Sequence, residues 1–401
     1  MPRKRINIIT PHFTPENTAA SHRMESAARV LSASFDVNVF SLTEKGKKPR
    51  SGTEQWNDNL HVHYLYMPDY PKGIFIVRAL MEWYYSRKLT RFSNSVECDL
   101  VLFTSPFMFL ITAVANLSKC RTIVADIRDL VWHYLPEGNY INRKIKQAVT
   151  KSVHASFEKI SAITVTNSSE KDWLLRNANI PKEKITVIPN GLSEDKFRFL
   201  QTVRYSKPKK EFIISYIGNI GSAQVFIPLI EAIRNKEGVK LNLIGDGNAR
   251  ESIQKYLLAE DVRNVFIPGK LRWARIIPYY QSSSILYSGL KPEFDTAVPS
   301  KIYEYLSTGL PILFLGKGAT VTLLENFDNV YCLDEYSEAA LNKTIAKIRY
   351  EKPANSLPNT LAVGGNFLRE KISLNFVELI AGLLNEKIPG KIFVEDFLTN
   401  N

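Results

Sequence analysis

An apolar run, RINIIT at residues 5–10, leads into a loop rich in turn formers and then into SHRMESAARVLSASF. There Met24, Ala27, Ala28 and Leu31 recur at helical spacing. DVNVFSL follows as a second strand. This strand–loop–helix–strand order opens a Rossmann-like unit, and it constrains the chain most because it restarts near residue 211. EFIISYIGNIGSAQ reads as a strand and a Gly-rich turn, with VFIPLIEAIRN as the following helix. DLVLFTSP, RTIVADIRD, SAITVTNSS and KITVIPNG continue the first pattern as buried strands; KLNLIGDGNAR, NVFIPGKL, SILYSGL and PILFLG continue the second. An α/β protein of two Rossmann-like domains is expected, over residues 1–200 and 201–372, with a C-terminal helix (373–387) and tail in 373–401. Residues 192–210, polar and without a clean period, read as the linker.

With 401 residues the chain can build two cores. It has no apolar run of about eighteen residues, so a transmembrane helix is not expected. The start MPRKRINIIT lacks the organisation of a signal peptide. Cys98, Cys120 and Cys332 are scattered, which fits a reducing, cytoplasmic setting without a disulfide framework. His61 and His63 share a strand face but lack further ligands, so no metal site is expected. The net charge is +12, and residues 1–200 hold 28 Lys+Arg against 19 Asp+Glu. Such a basic half suits nucleic acid, an anionic membrane or an anionic substrate, or is simply a basic surface. Zinc-finger spacing, RNP patterns and basic heptads are all missing, which argues against nucleic acid.

Pro299 to Gly316, PSKIYEYLSTGLPILFLG, carries the sharpest signal. Ile302, Tyr305 and Leu306 mark a helix that Gly309 stops, and a buried strand follows. A loop opening a helix offers unpaired N–H groups and a positive dipole end, which suits a phosphate. Glu304, one turn in, reads either as a carboxylate for a ribose diol or as an internal capping or ion-pair glutamate.

PSKIYEYLSTGLPIL resembles the donor-site helix of retaining glycosyltransferases of family 4, of GT-B fold. It is most similar to the bacterial branch that builds surface polysaccharides, including fucosaminyl- and N-acetylhexosaminyl-transferases. The resemblance implies that Glu304 holds the nucleotide ribose while Ser300 and Lys301 lie in the diphosphate turn. The family's first glutamate is replaced by Thr296. GNIG after a strand matches the family's phosphate loop, so Gly218, Asn219 and Gly221 are donor-site candidates. The usual Arg and Lys are here Asn219 and Gln224, so the charge must come from Lys301, or from Arg272 or Arg275. ADIRDLVW resembles the branch's RDLWP form, which implies that Arg128 meets the donor sugar or phosphate and Asp129 follows it. The alternative is that Arg128 and Asp129 pair with each other. Pro15, Glu16, Ala19, Ala20 and Arg23 fit the branch's PE-x-x-A-A-x-x-R form, which places Glu16, Ala20, Ser21 and Arg23 on the acceptor side.

In residues 72–92, Ile74, Val77, Leu80, Met81, Tyr84 and Tyr85 form a stripe beside Arg78, Arg87, Lys88 and Arg91. It reads equally as a membrane-surface helix and as one packed on the sheet with a basic edge.

The resemblance implies a GT-B enzyme with a central cleft and a C-terminal helix that crosses back to the first domain. It moves a sugar with retention from a nucleotide-diphospho-sugar, expected to be a UDP-sugar, to a saccharide acceptor, expected to be lipid-linked. It uses no metal and no cofactor, since the nucleotide-sugar is a substrate. Arg128, Asp129 and Glu304 are the catalytic candidates. A partner subunit that binds nucleotide-sugar without turnover and a GT-B-shaped epimerase are the alternatives.

Overall fold

The computed structural model describes residues 2–16, 18–44, 52–71, 74–105, 107–203, 211–334 and 336–386. The chain divides into two compact units, Met1–Asn190 with Arg369–Asn401, and Gly191–Leu368. The divisions thus fall at 190/191 and 368/369, where the sequence suggests 200/201 and 372/373.

The first unit contains β1 (Arg5–Thr10), α1 (Ala19–Leu31), β2 (Asp36–Glu44), β3 (Gly52–Asn57), β4 (Leu60–Met67), α2 (Phe75–Ser93) and β5 (Leu100–Thr104). It continues with α3 (Leu110–Leu117), β6 (Thr122–Ile127), α4 (Tyr140–Ser156), β7 (Ala162–Val165), α5 (Ser168–Asn177) and β8 (Ile185–Val187). The sheet order is β3-β4-β2-β1-β5-β6-β7-β8. Every pairing is parallel except the β3–β4 edge. Its inner strands read as continuous apolar runs because helices cover both faces. One face carries a core of Phe103, Ile111, Val114 and Trp132 beneath α2, α3 and the end of α4.

The second unit starts with α6 (Glu194–Leu200), inside the stretch expected to be a linker. Ser193 caps it by accepting from the Lys196 N–H, with Glu194 and Asp195 in the first turn. Residues 204–210 of that stretch lie outside the described residues. Then come β9 (Phe212–Ile217), α7 (Ile227–Ile233), β10 (Val239–Ile244), α8 (Arg250–Ala259), β11 (Val265–Gly269), α9 (Ile277–Ser282) and β12 (Ile285–Gly289). α10 (Lys301–Thr308), β13 (Ile312–Leu315), α11 (Ala319–Leu324), β14 (Val330–Leu333), α12 (Glu338–Glu351) and α13 (Leu357–Asn366) complete it. The sheet is parallel, in the order β11-β10-β9-β12-β13-β14.

The last helix, α14 (Arg369–Leu384), belongs to the first unit and packs on α1. It starts earlier than the expected 373–387 and ends sooner, and residue 387 lies outside the described residues. α2 divides the two readings of its stripe. Tyr85 and Leu89 are buried and Met81 packs against the core, whereas Ile74, Leu80 and Tyr84 are exposed. His63 stacks on Phe40 and hydrogen-bonds Asn38 and Thr53, a structural role. No group of His, Cys, Asp and Glu suited to a metal exists among the described residues.

Candidate functional site

In the second unit the turns after β9 and β10 zip together. The Gly218 N–H donates to Ile244 O at 2.9 Å and the Ile220 N–H to Asp246 O at 2.9 Å. Gly245 has φ +147°, and a Cβ there would lie 1.8 Å from Gly218 O. The GNIG loop therefore needs its neighbour's glycine for close backbone approach. The Gly218 N–H is therefore spent inside the paired turns. Among the described residues the Gly221 N–H has no acceptor. Asn219 turns its carbonyl to the Tyr216 hydroxyl, and its amide nitrogen would lie 2.8 Å from a Cβ at Gly221.

α10 ends on Gly309 at φ +69°, where a Cβ would meet Ser356 O at 2.7 Å. At its other end Ser300 occupies the cap without a side-chain hydrogen bond, which leaves the first-turn N–H groups free of such a cap. Lys301 reaches back under the β9 turn. A Cβ at Gly218 would stand 3.1 Å from Lys301 Cε. The Lys301 ammonium donates to the Tyr216 hydroxyl and, at 3.3 Å, to Gln224 Oε1. Burial pushes its pKa down to about 7, against the pull of the Glu304 charge. Gln224, where the family pattern has a lysine, thus serves the lysine supplied by α10.

Glu304 accepts from Lys196 Nζ at 3.2 Å, and Lys196 lies over the Trp273 ring at 5.1 Å. The ion-pair alternative is therefore real, although both side chains keep some exposure. Sequence reasoning missed Lys196 because α6 was read as linker; the Ser193 cap and its acidic first turn were the available signal. Thr296 is buried, in a loop pinned by the Ala319 N–H donating to Asp295 O at 2.7 Å. Arg272 and Arg275 are exposed in the turn after β11 and form no ion pair among the described residues. The structure thus joins Gly218, Asn219, Gly221 and Lys301, and sets Arg272 next to Trp273, whose ring lies under Lys196.

In the first unit Arg23 is a strut. It is 4% exposed and its guanidinium bonds Asp126 Oδ1 at 2.8 Å and Oδ2 at 3.0 Å. It also donates to Ile188 O and Pro189 O, and it lies over the Phe376 ring of α14. Burial pushes the Asp126 carboxyl up, but the Arg23 charge and the hydrogen bonds from Arg23 and Thr164 outweigh it and hold the carboxyl below its usual range. Arg23 is therefore not free for an acceptor, and Ala20 and Ser21 are buried on the same helix. Of the acceptor-side candidates Glu16 keeps access; it bonds His12 Nδ1 at 2.9 Å in a recess shared with Thr43 and Tyr64. His12, directly after β1, was missed.

Arg128 and Asp129 follow β6 and form no ion pair among the described residues; Arg128 Nε is enclosed without an acceptor. Crowding at this strand end lowers the Arg128 pKa and raises that of Asp129, each opposed by the other's charge, although both side chains still reach solvent. Glu170 stands in the same electrostatic cluster. It is fully buried, with Oε2 bonded by Thr166 and Oε1 unpartnered, and burial with the Asp129 charge raises its pKa well above normal.

No curated protein matches the chain in sequence. Among solved structures it is similar to sucrose-phosphate synthase from Thermosynechococcus elongatus, with TM-score 0.73 and 14% identity over 96% of this chain and 100% of that one. It is also similar to Anabaena HepE in complex with UDP and glucose, with TM-score 0.63 and 13% identity over 94% and 99%. The lipopolysaccharide outer core galactosyltransferase WaaB gives TM-score 0.62 and 14% identity over 94% and 99%. These likenesses give the fold, GT-B. Two family models match in succession: Glycosyltransferase Family 4 over residues 20–196 and Glycosyl transferases group 1 over 198–357. The chain belongs to the glycosyltransferases that join a family 4 domain to a group 1 domain.

Proposed function

We propose that this glycosyltransferase takes a UDP-sugar and transfers the sugar, with retention of configuration, to a lipid-linked saccharide in surface polysaccharide synthesis. The observation that carries the donor reading is Lys301, an enclosed cation held by neutral partners at the start of α10. A diphosphate supplies the missing countercharge there, beside the Gly221 N–H and the first turn of α10. Glu304 holds the ribose, exchanging part of its bond to Lys196 for the sugar diol. Arg128, with Nε unpartnered, meets the transferring group, and Asp129 supports it. The sequence has no D-x-D string, so neutralisation of the leaving diphosphate falls to Lys301 and the helix dipole, without metal or cofactor.

The lipid-linked acceptor rests on α2. Ile74, Ile76, Leu80, Trp83 and Tyr84 are exposed beside Arg78, Arg87 and Lys88, the composition of a helix that lies on an anionic membrane. No helix among the described residues is long and apolar enough to cross a membrane. The protein then works on the inner face of the plasma membrane as a peripheral protein.

Thermal shifts and calorimetry with UDP- and GDP-sugars identify the donor, and NMR of the product reads the anomeric configuration. Tight binding without transfer to any acceptor would replace this reading with a non-catalytic binding subunit. Interconversion of free nucleotide-sugars would replace it with an epimerase.

A further inference from the structure

The N-terminal half of α4 has almost nothing beneath it. Of the helix's 17 residues only Val153 and Ser156, at the C-terminal end, are buried. Its first two turns carry Tyr140 and Ile141, 67% and 68% exposed, and Ile145. The helix contains Arg143, Lys144, Lys146 and Lys151 and no carboxylate. Lys144 lies over the Tyr140 ring at 5.5 Å, and Lys146 bonds Glu137 at 2.6 Å. A recess of about 370 Å³ opens along this face, lined by Arg143, Lys146, Lys151 and His154 with the single carboxylate of Glu137.

α4 has the same build as the exposed half of α2. Both helices pack on α3 and share one core. α2 follows β4 and α4 follows β6, in strands that run parallel, so both helices begin at the edge where the strands end. Their uncovered apolar turns therefore occur at the same edge of one sheet face. A surface of aliphatic and aromatic tips, ringed by cations and nearly free of carboxylates, is complementary to a sheet of phosphates over hydrocarbon.

We propose that α4 is a second lipid-contacting helix. Tyr140, Ile141 and Ile145 enter the boundary between headgroups and acyl chains, and Arg143, Lys144 and Lys151 meet the anionic headgroups. The inference rests on the lipid-facing reading of α2 and makes the contact a two-helix platform. Two attachment points fix the orientation of the first unit on the bilayer, where one helix alone would let it roll.

The test is co-sedimentation of the full chain with phosphatidylcholine vesicles, with and without phosphatidylglycerol, at low and high salt. Three variants are compared: Tyr140→Ser/Ile141→Ser/Ile145→Ser, Arg143→Glu/Lys144→Glu/Lys151→Glu, and Leu80→Ser/Trp83→Ser/Tyr84→Ser on α2. All lie on exposed positions, and an unchanged melting temperature and UDP-sugar affinity report that each is folded. The expected result is at least about a tenfold loss of affinity for phosphatidylglycerol vesicles in both α4 variants, as in the α2 variant. Tyr140→Trp is expected to shift its fluorescence to the blue on those vesicles. Wild-type binding that the α2 variant loses and both α4 variants keep would overturn the α4 inference and leave the α2 reading standing. Loss in the α4 variants alone would remove α2 and overturn the two-helix platform. A change in oligomeric state of the α4 variants without lipid, with vesicle binding intact, would overturn the inference in favour of a protein interface.

Discussion

The ammonium of Lys301 lies 3.8 Å from the centre of the Tyr216 ring and donates to the hydroxyl of the same residue. Its other acceptor, Gln224 Oε1, is also neutral. A cation enclosed this way is attracted by the ring face but not neutralised, and burial lowers its pKa to about 7. On the proposed function, a diphosphate would supply the countercharge that these neutral partners do not.

Diphosphate binding should therefore take up a proton at and above neutral pH, because the ligand restores the charged lysine. UDP affinity should fall by up to about tenfold per pH unit above 7, while uridine affinity shows no such slope. Calorimetry in two buffers of different ionisation heat counts the proton, and no uptake between about pH 7 and 9 would remove Lys301 from the diphosphate site. Stability of the free protein has the opposite sign. The folded pKa, about 7, lies below the ordinary lysine value of 10.5, so the unfolded chain binds more protons between these values and stability rises with pH across that window. Lys301→Met should melt above wild type at pH 7 while it loses affinity for UDP.

Glu304 and Lys196 pair across 108 positions of sequence. If the ribose is the true partner, Glu304→Gln weakens uridine and UDP alike, by roughly ten- to a hundred-fold, the value of a charge-assisted hydrogen bond. Lys196→Met should then change affinity by no more than about fivefold, since a partly exposed ion pair contributes about 1 kcal/mol or less. Equal nucleotide affinity in wild type and a folded Glu304→Gln variant would leave the carboxylate a purely structural partner of Lys196.

The strands were legible because burial on both faces writes them as apolar runs. β3 was not: GTEQWN is an edge strand whose residues are mostly exposed, so no apolar period marks it. α2 was legible as a helix, but periodicity describes its own faces and not what covers them. Only the structure separates buried Tyr85 from exposed Tyr84 next to it. The family motif placed Arg23 near an acceptor. Its partner Asp126 is 103 residues away, and a pairing at that separation is set by which strands are neighbours rather than by local spacing. The sequence shows Gly218 as a loop glycine but not the close approach of Gly245 to it. The two turns are 27 residues apart and meet only because β9 and β10 pair.

Arg23 and Asp126 form a buried pair with almost complete hydrogen bonding: Thr104 and Thr164 also donate to the carboxylate. Removing one partner strands the other, so Arg23→Met or Asp126→Leu should each destabilise the protein by about 3–5 kcal/mol. Arg23→Lys should recover only part of this, because one ammonium cannot reproduce the fork to both carboxylate oxygens. Arg23→Met/Asp126→Leu together should recover most of it. Urea denaturation reads each value. A folded Arg23→Met variant of wild-type stability that fails only with acceptor would return Arg23 to the acceptor site.

The GNIG loop gives the last test, because close approach and phosphate binding make different demands on its glycines. A Cβ at Gly245 would sit 1.8 Å from the Gly218 carbonyl oxygen, and φ there is +147°. Gly218 is already tied through its N–H to Ile244 O and Gly245 through its N–H to Gly269 O, so neither can yield without breaking the turn. Gly245→Ala should therefore cost at least about 1–3 kcal/mol of stability and lower UDP affinity by displacing Gly218 from Lys301. Gly221 differs: the nearest atom to a new Cβ is the side-chain nitrogen of Asn219 at 2.8 Å, which can swing aside. Gly221→Ala should keep stability within about 0.5 kcal/mol. Its UDP affinity should fall nonetheless, since a methyl group crowds the N–H that meets the diphosphate. Thermal melts and UDP titrations of the two variants separate the roles. Wild-type melting in Gly245→Ala would refute the close-approach account, and wild-type UDP affinity in Gly221→Ala would remove that N–H from the phosphate site.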